Sequence, residues 1–479
     1  MKLIQNYING KFLNSLNDEF IENFNPATGE LIASIPRSSN KDIQLAVNAC
    51  RSNDNWHKIS ITKRAEWLEK IANELENRYE EIALMESKDT GKPISLARNV
   101  DASRSVYNFR FFANLVNEIH QPEFKMNDAI NRVLNKPLGI AGLITPWNLP
   151  LYLLSWKVAP ALLMGNCVIA KPSELTPLTA NLLAEVIDKI GLPKGVFNLI
   201  HGYGSECGQA LVEHQEIKLI SFTGGTETGK IVAKTAAPMF KKISLELGGK
   251  NATIILKDAE FEKHIDQIVK SAFLNQGQVC LCGSRILVQD SIYEKFVEIF
   301  RLRVSQMKIG NPLDEDTELG SLISLRHKET VMNYIAMAIE EGGNVIYGGK
   351  EPILPETFSN GAFIEPTIIT DLSHKSKAAT EEIFGPVVTI HPFSEIHEAI
   401  KIANITNYGL SASIWTKDVQ SGENIAKELD TGIVWINCWL HRDLRTPFGG
   451  MKDSGIGREG GLYSVEFFSE MQNICTFLG

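Results

Sequence analysis

Two short stretches hold the residue types best suited to chemistry. The first, residues 271–284 (SAFLNQGQVCLCGS), carries Cys280 and Cys282 just beyond a glycine. A thiol is a nucleophile only as thiolate and so needs a polar, accessible setting, which the preceding Asn275, Gln276, Gly277 and Gln278 can supply. Free cysteine is nevertheless among the most buried residue types, so spacing alone favours core filling. The second stretch, residues 243–251 (ISLELGGKN), breaks an apolar run with Glu246 and ends in two glycines. A lone carboxylate in an apolar strand needs a reason, since an unpartnered buried charge is costly.

The elements around these stretches are legible from periodicity. Residues 7–37 are short apolar pieces broken by Asn9-Gly10 and Asn25-Pro26, as in hairpin strands at a sheet edge. Helical spacing opens at Thr62 and runs until Gly91-Lys92-Pro93; a second helical run, residues 95–116, holds Arg98, Arg104 and Arg110. Residues 119–135 are polar and irregular, an excursion from the main fold. An apolar strand at 139–145 then ends in Pro146-Trp147-Asn148-Leu149-Pro150, where the prolines restrict the backbone on both sides of Asn148.

From Trp156 helices and apolar strands alternate: a helix through Leu163, a strand at 167–170, a helix capped by Thr176 with Pro177 at its first position, strands at 196–200 and 218–222, and helices at 205–212 and 226–236. Such alternation predicts a parallel sheet that binds a nucleotide at the carboxyl ends of its strands. Residues 223–229 (TGGTETG) follow a strand and open a helix, which suits a pyrophosphate although it is not the GxGxxG fingerprint. A second alternating region runs from Asn251 to about Val434, with strands at 252–256, 285–288, 345–347 and 387–392. The tail, residues 467–477, is a short alternating piece able to pair with the excursion near residue 130 or with another subunit.

At 479 residues the chain exceeds one ordinary core, and roughly three domains are expected. A net charge of −9 without a basic run argues against nucleic acid. No apolar run is long enough for a membrane helix, and residues 1–12 lack a signal peptide's apolar centre, so a cytoplasmic location is expected. Seven cysteines without regular spacing form neither a disulfide framework nor a zinc site, and no metal is expected. Small-molecule chemistry is left.

With Asn148, Glu246 and Cys280 in view, the sequence resembles the aldehyde dehydrogenase superfamily over nearly its whole length. The resemblance rests on seven motifs in the family's order: Pro146-Trp147-Asn148, Lys171-Pro172-Ser173-Glu174, Phe222-Thr223-Gly224, Leu245-Glu246-Leu247-Gly248-Gly249-Lys250, Gly277-Gln278-Val279-Cys280, Glu382-Ile383-Phe384-Gly385-Pro386 and Pro447-Phe448-Gly449-Gly450. It implies an α/β fold with a Rossmann-type NAD-binding domain (1–118 and 139–249), a second α/β catalytic domain (250–447) and a small β oligomerisation element (119–138 and 463–479). By the same resemblance Cys280 attacks an aldehyde carbon, the Asn148 amide and the Cys280 N–H hold the oxyanion, and Glu246 activates the water that hydrolyses the thioester. Burial would raise a carboxylate's pKa towards the useful range for a base. The resemblance assigns Thr145, Trp147, Lys171, Glu174, Gly204, Gly224, Gly225, Thr228, Glu382 and Phe384 to the cofactor. A carboxylate at Glu174 favours NAD over NADP because it repels a 2′-phosphate.

The loop 437–447 (NCWLHRDLRTP) resembles that of 2-hydroxymuconic and 2-aminomuconic semialdehyde dehydrogenases, which implies that Arg442 and Arg104 grip a substrate carboxylate, with Trp156 beside them. In that branch a proline precedes the arginine at Arg104, where this chain has Ser103. The expected activity is NAD-dependent oxidation of a carboxylate-bearing semialdehyde to the dicarboxylic acid by a homodimer or homotetramer. The alternatives are a betaine aldehyde or general aldehyde dehydrogenase and, more distantly, a cofactor-independent thiol hydrolase using Cys280 or a silent protein on the same fold.

Overall fold

The computed structural model describes residues 2–53 and 55–479. The apolar runs of the first half form five parallel strands, β1 (Ile140–Ile144), β2 (Cys167–Lys171), β3 (Phe197–Leu199), β4 (Ile217–Thr223) and β5 (Lys242–Glu246), in the order β5-β4-β1-β2-β3. A sheet that grows outward from β1 in both directions opens a crevice where the crossovers diverge, at the carboxyl ends of β1 and β4. β1 and β2 are buried throughout, which is why they read as unbroken apolar text rather than as an alternation. The hairpin of Asn6–Ile8 and Lys11–Leu13 extends the β3 edge, and Gly455–Ile456 pairs with β5 at the other.

The second sheet contains β6 (Ala252–Ile255), β7 (Arg285–Gln289), β8 (Asn344–Tyr347), β9 (Thr367–Thr370), β10 (Val387–Phe393), β11 (Ser411–Trp415) and β12 (Ile433–Ile436), in the order β8-β9-β10-β7-β6-β11-β12. β8 runs antiparallel to β9, and the other neighbours are parallel. The two α/β sheets and a separate small β element are the architecture expected.

Several local expectations are corrected. The helical run from Thr62 is two helices, α1 (Ile61–Asn77) and α2 (Tyr79–Thr90), parted at Arg78, whose guanidinium pairs with Glu81 and Glu185. The next run is α3 (Ser103–Asn114), preceded by a π-helical stretch at Ala97–Ala102. The helix expected from Trp156 starts earlier: α4 (Pro150–Leu163) has Pro150 at its first position, where a missing N–H costs nothing. Thr176 does not cap α5 (Leu178–Ile190); the Leu178 N–H donates to the buried Asp89 Oδ2 at 2.9 Å. The excursion after residue 119 is not irregular. Glu123–Lys125 and Ala129–Pro137 form a ribbon, and Ser469–Phe477 pairs antiparallel with the latter from Ser469 opposite Pro137 to Phe477 opposite Ala129. A strand with little burial on either face lacks the apolar alternation that marks a half-buried one. Among the described residues, no helix is long and apolar enough to cross a membrane.

The end of α2 matters because Lys92 follows it. Gly91 takes φ +76°, and a Cβ there would stand 2.0 Å from Ser321 Oγ; Gly191, ending α5 at φ +72°, would meet nothing within 4 Å. Gly191→Ala should cost about 1 kcal/mol, the left-handed penalty alone, and Gly91→Ala about 3 kcal/mol because overpacking is added. Thermal melting checks the ordering; equal falls in midpoint would show that the Ser321 contact relaxes freely.

Candidate active site

Cys280 follows α6 (Phe261–Phe273) through a loop in which Asn275, Gln276 and Gly277 take φ of 54°, 56° and 70°. Successive left-handed non-glycine residues persist only where their surroundings over-determine them. Here buried amides do so: Asn275 Nδ2 donates to the Asn148 carbonyl (3.1 Å), Gln276 Nε2 to the Ser321 carbonyl (2.7 Å), and Gln278 Oε1 accepts from the Ile323 N–H (3.0 Å). Asn251 Nδ2 donates to the carbonyls of Cys280 (2.7 Å) and Cys282 (2.9 Å). The polar run expected to expose the thiol is therefore itself buried and works as a clamp, while Cys280 stays half-buried. Cys282 packs with Trp439 and Phe448, and burial pushes its thiol up to about 12.

Glu246 ends β5 in register with Thr223 of β4, and its carbonyl accepts from the Gly224 N–H at 3.0 Å, which sets it beside the glycine turn. Its side chain is buried, and Oε1 has no hydrogen-bond partner among the described residues. Burial raises the carboxyl well above the ordinary carboxylate range; Glu459 adds to this, and Lys157, Arg442 and Arg458 oppose it. Lys157 and Glu459 form a buried pair at 2.7 Å, with Ser221 Oγ 2.8 Å from the ammonium.

Asn148 stands between β1 and α4. Its Nδ2 donates to the Gln278 carbonyl (2.9 Å), which leaves the second N–H of that amide, and its own carbonyl accepts from Lys92 Nζ (2.9 Å). Lys92 is fully buried, 2.7 Å from Asp101 and 3.8 Å from Glu86. Lys92, Asp101, Glu86, Lys157 and Glu459 did not stand out in the sequence. The one available signal was Glu86, which falls one helical turn after the core residue Ile82 on the buried face of α2.

Asn148, Glu246 and Cys280 line one cavity of about 280 Å³. Of the other anticipated residues, Trp147, Gly224, Gly225, Glu382, Phe384, Trp156 and Arg442 also line it. Phe384, at φ +57°, packs edge-on against Trp147 with centroids 5.2 Å apart, and its carbonyl accepts from His327 Nε2 at 2.8 Å. Glu382 Oε1 accepts from the Gly249 N–H (2.9 Å), and burial pushes this carboxyl up to about 7. Arg442 lies 4.7 Å over the Trp156 ring and 3.9 Å over Phe448, with Nη1 donating to the Tyr152 hydroxyl at 3.2 Å. Its Nε and Nη2 are buried without a partner among the described residues, because Asp443 pairs with Arg445 instead (2.6 Å). Arg104 stands further back, half-buried, over the rings of Tyr107 (5.8 Å) and Tyr152 (5.6 Å). Trp156 is a buried platform for Arg442 rather than an exposed wall.

The remaining anticipated residues run along the crevice of the first sheet. The Thr145 N–H, after β1, donates to the Lys171 carbonyl (3.2 Å); Lys171 Nζ donates to the Pro172 carbonyl (2.8 Å) and to Glu174 Oε2 (3.2 Å). Gly204 opens the turn after β3, Gly225 caps α7 (Thr226–Ala236), and Thr228 is exposed in that helix's first turn. A Cβ at Gly204 or Gly225 would meet nothing within 4 Å, so the backbone is open to a ligand. Thr145 Oγ1 and Thr223 Oγ1 are buried without a partner among the described residues. Open backbone, a helix N-terminus and unpartnered hydroxyls at the switch point fit a dinucleotide.

Burial raises the Cys280 thiol above its ordinary range; Glu246, Glu382 and Cys282 reinforce the shift and Arg442 opposes it. Alkylation of the cofactor-free enzyme by iodoacetamide should therefore rise with pH, with a midpoint above that of an ordinary thiol. Glu246→Gln removes a charge that disfavours the thiolate, so its midpoint should move down. An upward move, or a native midpoint at or below the ordinary range, would contradict this electrostatic picture; peptide mapping confirms that Cys280 is the residue modified.

The family model for the aldehyde dehydrogenase family matches residues 12–474. The chain is 43% identical to a 2-hydroxymuconic semialdehyde dehydrogenase of Pseudomonas sp. (strain CF600), covering 100% of both chains, and 46% identical to a 2-aminomuconic semialdehyde dehydrogenase of Mus musculus, covering 98% of both. Its structure superposes with a TM-score of 0.96 on betaine aldehyde dehydrogenase from Staphylococcus aureus in complex with NAD+, at 38% identity, covering 99% of this chain and 94% of that one. With a cysteine, a carboxylate and an asparagine amide meeting in one cavity beside a dinucleotide crevice, the chain belongs to the aldehyde dehydrogenase family.

Proposed function

We propose that this enzyme oxidises a carboxylate-bearing semialdehyde, of the 2-hydroxymuconic or 2-aminomuconic type, to the dicarboxylic acid with NAD in the cytoplasm. The observation that carries the reading is the buried Nε–Nη2 edge of Arg442, without a partner among the described residues, in the cavity that also holds Cys280. A guanidinium edge with no carboxylate of its own suits one brought by a ligand, through two parallel charge-assisted hydrogen bonds. A betaine-type substrate would place a cation in that seat, against like charge.

In this reading Cys280 gives up its proton to solvent and its sulfur bonds the aldehyde carbon, so the carbonyl oxygen becomes an oxyanion held by Asn148 Nδ2 and the Cys280 N–H. Bound NAD supplies the acceptor for the hydride that leaves this carbon. Glu246 then takes a proton from the water that attacks the resulting thioester, and the acid departs as Cys280 is freed. Thr145, Trp147, Gly204, Gly224, Gly225 and Thr228 would line the dinucleotide; Lys171 and Glu174 would hold the adenosine ribose, and Glu382 and Phe384 the nicotinamide ribose. The Glu174 carboxylate disfavours a 2′-phosphate, hence NAD over NADP. Domains at 1–118 with 139–249 and at 250–447 divide cofactor from catalytic cysteine.

Arg442→Ala should raise the KM for 2-hydroxymuconic semialdehyde about 100-fold, the worth of a desolvated charged pair, and that for hexanal less than about threefold. Equal effects on both aldehydes would remove the carboxylate reading. The ribbon of residues 119–138 with the terminal strand supports assembly into a dimer or tetramer, since Ser469–Phe477 is an edge strand exposing Met471, Ile474 and Phe477. Light scattering should give at least a dimer at micromolar concentration; a monomer would overturn that assignment.

A further inference from the structure

Tyr152 lies in the first turn of α4, four residues after Asn148, and lines the cavity. Its hydroxyl accepts from Arg442 Nη1 at 3.2 Å, and its ring lies 5.6 Å beneath the Arg104 guanidinium. We propose that Tyr152 is the residue that positions Arg442 for a substrate carboxylate, and so sets the preference for acidic over neutral aldehydes. The inference deepens the carboxylate reading above and rests on it.

The aromatic faces of Trp156 and Phe448, 4.7 and 3.9 Å from the Arg442 guanidinium, fix where the cation sits. Stacking has little preference for direction within the plane of the group, so it does not decide which edge faces the ligand. A hydrogen bond does. With one Nη1 N–H engaged by the Tyr152 hydroxyl, the nitrogens that lack any acceptor are Nε and Nη2, which share one edge and are buried without a partner among the described residues. That edge is the side-on pair that meets both oxygens of a carboxylate. Arg104, over the same ring, adds positive charge behind the seat without itself lining the cavity. Tyr152 thus acts through Arg442 and is a positioning residue, not a catalytic one.

Tyr152→Phe keeps the ring, its packing and the platform under Arg104 while removing the acceptor. Steady-state kinetics with NAD would compare the native enzyme, Tyr152→Phe, Arg442→Ala and the double variant on 2-hydroxymuconic semialdehyde and on hexanal, a neutral aldehyde of the same carbon number. Tyr152→Phe should raise the KM for the semialdehyde about 10-fold, change that for hexanal by less than about twofold, and leave kcat within about twofold. In the Arg442→Ala background it should add nothing beyond about twofold, because its partner is gone. An unchanged KM, equal rises for both aldehydes, a loss confined to kcat, or effects that multiply in the double variant would each overturn the positioning role. If Arg442→Ala discriminates between the aldehydes and Tyr152→Phe does not, Tyr152 alone is at fault; if Arg442→Ala itself fails to discriminate, the carboxylate reading falls first.

Discussion

The carbonyl oxygen of Asn148 accepts hydrogen bonds from Asn275 Nδ2 and Lys92 Nζ, while the Asn148 side chain reaches back to the Gln278 carbonyl. Through the bonds to Asn275 and Gln278 the β1–α4 turn of one sheet is locked to the cysteine loop carried by the other. Chemistry at Cys280 needs its sulfur and the Asn148 amide in fixed relation, and groups built on two sheets drift apart unless such bonds cross between them. The Lys92 end is anchored in turn by Asp101 and Glu86, a buried set in which removing one member would leave an uncompensated charge. Left-handed backbone at Asn275 is tolerable because the same network holds it, and that at Gln276 and Phe384 because the Ser321 carbonyl accepts from Gln276 Nε2 and the Phe384 carbonyl from His327 Nε2.

Around that lock, burial makes charge on Glu246 and Cys280 costly. Burial favours the protonated forms of both Glu246 and Cys280, and the Glu246 charge adds to the cost of ionising Cys280. Arg442 lowers both, so the cation proposed to meet the substrate also favours the ionised forms of the two groups. Lys157 has the same sense at Glu246 but is already paired with Glu459, which leaves the carboxyl well above its ordinary range.

The sequence made the two alternating halves and the cysteine, carboxylate and asparagine legible, because apolar runs and glycine turns report local geometry directly. It was silent on what supports them. The amides of Asn275, Gln276 and Gln278 read as a polar, accessible run, yet whether an amide faces water or a distant carbonyl depends on partners at Asn148, Ser321 and Ile323, far along the chain. Lys92 looked like punctuation at a helix end for the same reason. The ribbon was misjudged because strands with little burial on either face carry no periodic signal, so only pairing with the terminal strand declares them. Tyr152 lies ahead of the helix expected from Trp156, and its polar end matters because Arg442 arrives from a loop 290 residues away.

That loop shows how selectivity is kept apart from chemistry. Asn437 and Leu440 take left-handed φ of 55° and 60°, and Asn437 is tied to Thr416 by donating to its carbonyl (2.8 Å) and accepting from its N–H (2.9 Å). Trp435 Nε1 donates to the His441 carbonyl (2.9 Å), and Trp439 Nε1 to the Leu281 carbonyl (3.0 Å), one residue after Cys280. Two indole donors thus hold the backbone beside Arg442, one of them against the cysteine loop itself. A guanidinium so supported loses little freedom when it meets a carboxylate, which is where preorganisation raises affinity. Since Cys280, Glu246 and Asn148 belong to loops and strand ends outside this segment, its side chains other than Trp439 can, in the proposed reading, change the aldehyde chosen without moving those three groups.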